Sequence, residues 1–193
     1  MKIRMLAAAA LVALSAGAQA ASVYSDNFDS DAQGLNAVPA GWSVTNGGTV
    51  DIIGTGFFDE IPGNGNYIDL DGSNGVAGLL STTTGTLSGL YTATFQLGGN
   101  HRDGTTDVVT VTFGGASQTF SVGPNDAFTT YSLTTTASAE QLTLSFHDGR
   151  DGNVGALLDN VDIATSVPEP GNVALMMAGL LALGVAARRR SQR

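Results

Sequence analysis

Carboxylates, which are oxygen ligands for hard metal ions, crowd at two places in this chain. Asp26 and Asp29 lie in the segment that opens the central part of the sequence, and Asp159 and Asp162 lie in the segment that closes it. Calcium takes six to eight hard oxygen ligands from carboxylates and carbonyls. These four residues are therefore our candidate ligands for structural Ca²⁺. The alternative is that they are solvated carboxylates at strand edges.

The spacing of Asp159 and Asp162 indicates which of these two carboxylates has the greater need of a positively charged or hydrogen-bonding partner. Asp159 and Asp162 are three residues apart, so on a regular strand they point to opposite faces and cannot share an ion without a bulge. Asp159 shares its face with Val161 and Ile163, whose apolar side chains are expected to point inward. Asp159 is therefore the more inward carboxylate, and a buried charge requires a partner.

Carbohydrate binding is a second candidate chemistry, in which aromatic rings stack on the C–H faces of a sugar and polar groups bind its hydroxyls. The candidate residues are Phe57, Phe58, Tyr67 and Asn66, which lie in or beside a glycine-rich segment. Trp42 is a further aromatic residue to consider. The alternative to sugar binding is that these aromatic side chains fill the core, and we prefer that interpretation for Trp42. Since adjacent residues on a strand point in opposite directions, Phe57 and Phe58 are expected to differ.

No set of catalytic residues is recognisable, so we expect a protein that is not an enzyme. The chain has no cysteine, which excludes thiol chemistry and cysteine-based metal sites, and it has only 2 histidines. No Gly-x-Ser-x-Gly nucleophile elbow is present. A Ca-dependent polysaccharide lyase or hydrolase stays open as an alternative, because acidic residues that could form a catalytic pair are abundant.

The acidic charge of the central part limits its partners. Residues 21–166 contain 16 acidic side chains and 2 arginines, a formal charge of −14. Like charge repels nucleic acid and anionic lipid, and no basic patch exists to displace their counterions, so we expect no nucleic-acid partner. Without disulfides, this domain must be held by its core, or by its core together with a metal.

The elements that carry these residues are predicted to be β-strands. Apolar and polar residues alternate with a period of two in several segments, and glycine, asparagine and aspartate fill the turns between them. The predicted strands are 42–45, 49–53, 67–70, 79–82, 91–97, 109–113, 120–122, 128–133, 142–146 and 156–163. Many short strands at even spacing predict an all-β fold, a two-sheet antiparallel sandwich, for which we prefer jelly-roll connectivity.

The chain begins with a segment that is predicted to be removed. Residues 1–20 combine Lys2 and Arg4, an apolar stretch, and a cleavage signal formed by Ala18 and Ala20. This is the pattern of a secretory signal peptide, a helix that signal peptidase cuts off. We therefore expect residues 21–166 to be exported and to form one domain.

Residues 167–193 form a second targeting segment. It begins with Pro168-Glu169-Pro170, continues with 15 uncharged residues from 173 to 187, and ends in a cluster that contains Arg188, Arg189 and Arg190. An apolar helix of this length is at the short limit for a transmembrane helix. The arginines are expected to stay on the cytoplasmic side, which places the preceding domain outside.

The order of Pro-Glu-Pro, apolar helix and arginine cluster resembles the PEP-CTERM sorting signal of Gram-negative bacteria. The resemblance implies that the tail anchors the exported protein transiently in the inner membrane, until a membrane protease of the exosortase class cuts near Pro-Glu-Pro. It also implies a final location at the cell surface or in the extracellular matrix, and a bacterium that makes exopolysaccharide.

A second resemblance covers residues 23–164. Asp26-Asn27-Phe28-Asp29 opens this part, residues 65–72 lie in its middle and residues 157–163 close it, a layout similar to that of galactose-binding-like jelly rolls in carbohydrate-binding modules and many PEP-CTERM proteins. In those modules the first and last strands run side by side and calcium often sits there. We therefore expect an exported, non-catalytic surface or matrix protein that associates with exopolysaccharide. A purely structural adhesion protein is a further alternative.

Overall fold

The part of the chain that the structure describes contains ten β-strands. The computed structural model describes residues 20–166 and, beyond them, Gly179 alone, so the predicted signal peptide before residue 20 and the sorting signal with its processing residues lie outside the described residues. The strands are Ser22–Asp26 (β1), Gly34–Ala37 (β2), Ser43–Thr45 (β3), Val50–Gly54 (β4), Asn66–Asp69 (β5), Leu79–Gly98 (β6), Asp107–Phe113 (β7), Ala116–Val122 (β8), Thr129–Asp148 (β9) and Leu157–Thr165 (β10). The all-β class is confirmed for these residues.

Two strands are much longer than the sequence pattern predicts. The predicted strands 79–82 and 91–97 are joined in the 20-residue strand β6, and 128–133 and 142–146 are joined in β9. The residues between them are rich in threonine, a β-branched residue that favours extended backbone. Register shifts between Thr83 and Thr86 and between Leu87 and Ser88 bend the pair. The prediction of separate strands is wrong here, because such irregularities interrupt the alternation without ending the strand.

β6 and β9 connect the two layers of the fold. The hydrogen-bonded path runs β2-β4-β5-β10-β6-β9-β7-β8, with β1 added to β10 and β3 added to β6. All pairings between these strands are antiparallel. The first part of β6 pairs with β3 and the second part with β10, so the sheet curls along this pair. The result is a curled antiparallel sandwich, which confirms the predicted architecture at this level.

Large apolar side chains from both parts of the curled sheet meet in one core. Phe95 in the second part of β6 contacts Phe146 near the end of β9 and Phe120 of β8, with ring centroids 5.1 and 5.4 Å apart. Trp42 is 7 % exposed and packs against Phe28 and Phe146, so its interpretation as a core residue is confirmed. Burying each such ring contributes roughly 1.5–3 kcal/mol, before the cost of ordering the chain.

A smaller apolar cluster covers the opposite face of β4, β5 and β10. Ile53, Tyr67 and Leu157 are buried there, whereas the adjacent Ile52 belongs to the main core. β4 is buried along its whole length, which explains why the sequence of this strand shows no regular polar alternation. The segment between β4 and β5 packs on this cluster and is thereby held against the sheet.

The first and last strands lie side by side, as the resemblance to jelly-roll modules implied. β1 pairs with β10 so that Ser25 is opposite Asp162 and Asp26 is opposite Val161. Residues 20–166 form one compact unit with its own core, the organisation expected of a domain that folds by itself. Within residues 20–166 no helix has the length and apolar character needed to span a membrane.

Candidate functional site

The connection between β4 and β5 carries the two adjacent phenylalanines. It starts at Gly54, where a Cβ would lie 2.1 Å from the carbonyl oxygen of Gly65, so the two ends of the connection approach as closely as only glycine permits. The amide of Gly54 donates to the carbonyl of Phe57 at 2.9 Å, and the amide of Phe57 donates to the carbonyl of Gly54 at 2.8 Å. These two hydrogen bonds close a tight turn. Phe58 follows with a φ of +50°, a left-handed backbone that is rare for a bulky side chain.

The two phenylalanines lie in different environments, as their adjacency predicts. Phe57 is half-buried against the cluster that contains Ile53 and Tyr67, while Phe58 is 51 % exposed. Their ring centroids are 4.8 Å apart with an interplanar angle of 84°, so the anchored ring of Phe57 supports the exposed one. Among residues 20–166, Phe58 is the only aromatic residue with a largely exposed ring.

Tyr67 and Asn66, the other two candidates for sugar binding, hold this connection in place. Tyr67 is completely buried, so the prediction that its ring contacts a sugar is wrong. Its hydroxyl accepts hydrogen bonds from the amides of Glu60 and Ile61 and donates to Asp59, and burial raises its pKa to about 12. The side chain of Asn66 is engaged in hydrogen bonds with the segment before β2. Phe58 is therefore the candidate that stays available to a ligand.

The four candidate calcium ligands, Asp26, Asp29, Asp159 and Asp162, lie on or beside the paired strands β1 and β10, and we call them the β1–β10 rim. A cavity of about 380 Å³ lies beside them, lined by Ser25, Asp26, Asn27, Ser30, Asn160, Val161 and Asp162. Asp26 and Asp162 line this cavity, whereas Asp29 and Asp159 do not. The fold thus brings the two ends of the domain together but divides the four carboxylates between two environments.

Hydrogen bonds from the chain already occupy part of this rim. Asp26 accepts from Nε1 of Trp42 at 2.8 Å and from the amide of Phe28 at 2.9 Å. Asp29 accepts from the amide of Asn66 at 2.8 Å. Within residues 20–166 no group of three or more histidine, aspartate or glutamate side chains has an arrangement ready to bind a metal ion. A complete set of carboxylate ligands is therefore not formed at the rim.

Asp159 is the rim carboxylate whose environment is least favourable to a charge. It is 1 % exposed, as its inward register predicts, and accepts from the amide of Asn160 at 2.7 Å. Burial raises its pKa to about 7, and the charges of Asp29 and Asp26 add to the increase. A register shift separates Asp159 from Asp162, and Asn160 has a φ of +49°, so the bulge that joint ligation requires is present. The charge distribution of the rim fits a cation, although its ligand set is incomplete.

A second group of carboxylates, which the sequence analysis missed, lies where β5, β7 and β9 meet the loops. Its buried members, each at most 2 % exposed, are Asp69, Asp71, Asp107 and Asp148. Arg102 and Arg150 pair with this group, and we call the six residues the buried acidic network. One feature of the sequence could have indicated this network. Residues 21–166 contain only two arginines and 16 acids, and these arginines are expected to pair with acids because charged side chains are rarely buried alone.

Arg150 joins three parts of this network. Its Nη1 donates to Asp103 at 2.8 Å, and its Nη2 donates to Asp107 at 3.0 Å and to the carbonyl of Val154 at 2.9 Å. Burial raises the pKa of Asp107 to about 6, and the charge of Asp148 adds to the increase, whereas Arg150 opposes it. The guanidinium is therefore committed to contacts inside the domain.

The described fold is similar to solved domains at low sequence identity. The CBM22-1 xylan-binding domain of Paenibacillus barcinonensis Xyn10C has a TM-score of 0.53 and 13 % identity, over 77 % of this chain and 97 % of that one. The K3 cleaved adhesin domain of Lys-gingipain from Porphyromonas gingivalis has a TM-score of 0.53 and 16 % identity, over 77 % and 100 %. Neither a family model nor a curated protein matches the sequence. At sequence identities this low, the structural similarity establishes the fold alone, which is a β-sandwich like that of carbohydrate-binding modules.

Proposed function

We propose that residues 21–166 are a non-catalytic glycan-binding module of an exported surface or matrix protein, and that exopolysaccharide is its ligand. Two observations support this function: the fold is shared with a xylan-binding domain, and the β4–β5 connection presents an exposed phenylalanine. The formal charge of −14 favours a neutral polysaccharide over an anionic one.

The conformation of Phe58 carries this proposal. A left-handed backbone at a non-glycine residue costs on the order of 1–3 kcal/mol, persists only where the surroundings impose it, and is concentrated at ligand-binding positions. Here Phe58 lies between two fixed points: the closed turn from Gly54 to Phe57, and the amides of Glu60 and Ile61, which donate to the buried hydroxyl of Tyr67. A ring fixed in this way loses little conformational entropy when a sugar stacks on it.

Glycan binding is tested with purified residues 20–166 on the polysaccharide of the host and on xylan. We expect Phe58→Ala to weaken binding about 3- to 10-fold, because an aromatic contact contributes about 0.5–1.5 kcal/mol beyond its buried area. Leu90→Ala is the matched control, since Leu90 is 47 % exposed on β6 and its removal also reduces apolar surface. Binding that is equal in wild type and Phe58→Ala, or absent on every matrix glycan, contradicts the proposal.

We also propose that structural Ca²⁺ binds at the β1–β10 rim, where Asp159 is buried near Asp26 and Asp29. A ligand that binds only the folded state stabilises it, by about 3 kcal/mol at 100 times Kd. The melting temperature is therefore expected to rise with calcium and to fall with chelator, and Asp159→Asn should reduce this response. Melting curves that calcium leaves unchanged would reject the proposal.

Export and anchoring are part of the same proposal and rest on the sequence of residues 1–20 and 167–193. We expect a variant in which Pro168, Glu169 and Pro170 are replaced by alanine to accumulate in the inner-membrane fraction, because the exosortase-type protease no longer recognises it. The wild-type protein should appear at the cell surface or in the matrix. Equal distribution of the two proteins in fractionated cells would argue against this route.

A structural adhesion protein is the second candidate, and the similarity to a cleaved adhesin domain favours it. Self-association of residues 20–166 without any glycan, measured by analytical ultracentrifugation, would support adhesion and not glycan binding. The enzymatic alternative predicts cleavage of a polysaccharide, with or without calcium. Release of reducing ends or unsaturated sugars from matrix glycans would establish it.

A further inference from the structure

The carboxylate of Asp71 stands apart from the other buried acids of the domain. It is completely buried, and neither of its oxygens accepts a hydrogen bond from any group of residues 20–166. Asp148, by contrast, accepts from the amides of Ala156 and Arg150. A buried carboxylate without donors is costly, and such groups occur in native proteins where an ion, a water molecule or a proton compensates them.

The groups around Asp71 are mostly negative. Burial raises its pKa to about 6, and the charge of Asp148 adds to the increase, with a smaller contribution from Asp151. Arg150 opposes the effect, but its Nη atoms donate to Asp103, Thr105, Asp107 and a backbone carbonyl. Its Nε is buried without a partner, so no hydrogen bond from Arg150 reaches Asp71. The amide of Gly152 approaches the carboxylate without hydrogen-bond geometry. The negative charge on Asp71 therefore lacks a direct partner.

The loop between β9 and β10 presses its backbone against Asp71 and Asp148. A Cβ on Gly155 would lie 2.6 Å from Cβ of Asp71 and 3.1 Å from Oδ2 of Asp148, so Asp71 and the carboxylate of Asp148 flank the same glycine. A Cβ on Gly152 would lie 3.0 Å from Oδ2 of Asp71. The glycines allow the main chain of this loop to come close to the two acids.

We propose that Asp71 and Asp148 bind a divalent cation, calcium by the chemistry of the ligands, beneath the loop between β9 and β10. Calcium is coordinated by carboxylate and carbonyl oxygens, and Asp71 offers two oxygens that no donor occupies. The ion would also offset the excess of acids around Arg150. This site is separate from the rim, because neither Asp71 nor Asp148 lines the rim cavity.

The test uses chelator-treated residues 20–166 at pH 7.5 and a calcium titration of the melting temperature. In the Asp159→Asn background, where the rim is impaired, we expect calcium at 100 times Kd to raise the melting temperature by about 5–10 °C. Adding Asp71→Asn should abolish this rise. It should also raise the melting temperature in chelator, because asparagine removes the uncompensated charge while keeping the shape.

Equilibrium dialysis with calcium is the second measurement, and it does not depend on whether Asp71→Asn folds. One calcium ion bound per chain of Asp159→Asn supports the proposal. Calcium that binds the wild type but not Asp159→Asn overturns it and leaves the rim proposal standing. No calcium bound by the wild type overturns both. A melting temperature that responds to pH but not to calcium in Asp159→Asn shows that Asp71 is compensated by a proton, and also overturns the proposal.

Discussion

The β1–β10 rim and the buried acidic network both gather carboxylates, but they neutralise them in different ways. In the network, Arg102 donates to Asp69 and Arg150 donates to Asp107, so two strand-end carboxylates have guanidinium partners. The rim relies on neutral donors, namely amides, the indole N–H of Trp42 and the hydroxyl of Ser22. No arginine or lysine is left for it, because residues 20–166 contain only those two arginines and no lysine.

This difference indicates where an acidic domain needs a cation from solution to compensate its carboxylates. A guanidinium brings a full positive charge and several donors, whereas an amide brings a partial charge. Asp159 at the rim and Asp71 in the network are buried carboxylates that neither guanidinium contacts, and calcium is proposed at both positions. The network is therefore expected to depend on its arginines and, at Asp71, on a bound cation, whereas the rim depends on a cation without any arginine.

The largest expected effect comes from removing Arg150. Asp107 is buried, and Arg150 is its hydrogen-bond donor, so Arg150→Met should lower the free energy of unfolding by about 3–5 kcal/mol. Arg102→Met is the matched comparison. It should cost less, about 1–3 kcal/mol, because Asp69 keeps other donors, namely the amides of Asp71 and Gly155 and the side chain of Asn100. Urea denaturation measures both, and equal losses would contradict this division of roles.

A smaller effect is expected from pH through Asp107. Its pKa in the folded state is raised from 3.8 to about 6, so its contribution to stability is complete below pH ~4 and is lost as the pH rises through 6. Asp107→Asn cannot ionise and should remove about 2–3 kcal/mol of this pH dependence. The charged groups that face Asp107 are Asp148, Asp103 and Arg150. Chemical denaturation between pH 4 and 7 measures the slope, and identical slopes in both proteins would refute the assignment.

The smallest effect is expected at the rim, where the donors are neutral. Trp42→Phe keeps an aromatic ring in the core but removes the Nε1–H donor of Asp26, which should cost about 1–2 kcal/mol. Asp26 is only partly buried, so water replaces part of the lost hydrogen bond. A loss as large as that of Arg150→Met would show that the rim is as tightly coupled as the network. Thermal unfolding in chelator provides the measurement without a contribution from calcium.

Local pattern predicted much of the fold and part of the candidate site. The alternation of apolar residues located the strand cores, and it placed Asp159 on the same inward face as Val161 and Ile163. Trp42 was interpreted as a core residue in preference to a sugar-binding one, and adjacency predicted that Phe57 and Phe58 differ. These results follow from the period of two in a strand, which is set by backbone geometry alone.

Other features depend on which strands become neighbours. Tyr67 was a sugar-binding candidate, but the connection from residue 55 to 65 packs over it and buries it, and no alternation in β5 reveals that second covering layer. The joining of two predicted strands into β6, and of two into β9, likewise follows from their pairing along both layers. Covering layers and strand partners are long-range properties that a local pattern does not contain.

The sequence by itself determined the charge of the domain, the absence of cysteine and the strand character of the middle. The targeting signals in residues 1–20 and 167–193 stay predictions. Only the tertiary structure decided how the charges are distributed. Arg102 meets Asp69, and Arg150 meets Asp107, across 33 and 43 residues of chain. The same packing buries Asp71 without a donor. The physical reason is that desolvation and ion pairing depend on distances in the folded state, and these distances are set by which distant segments of the chain pack together.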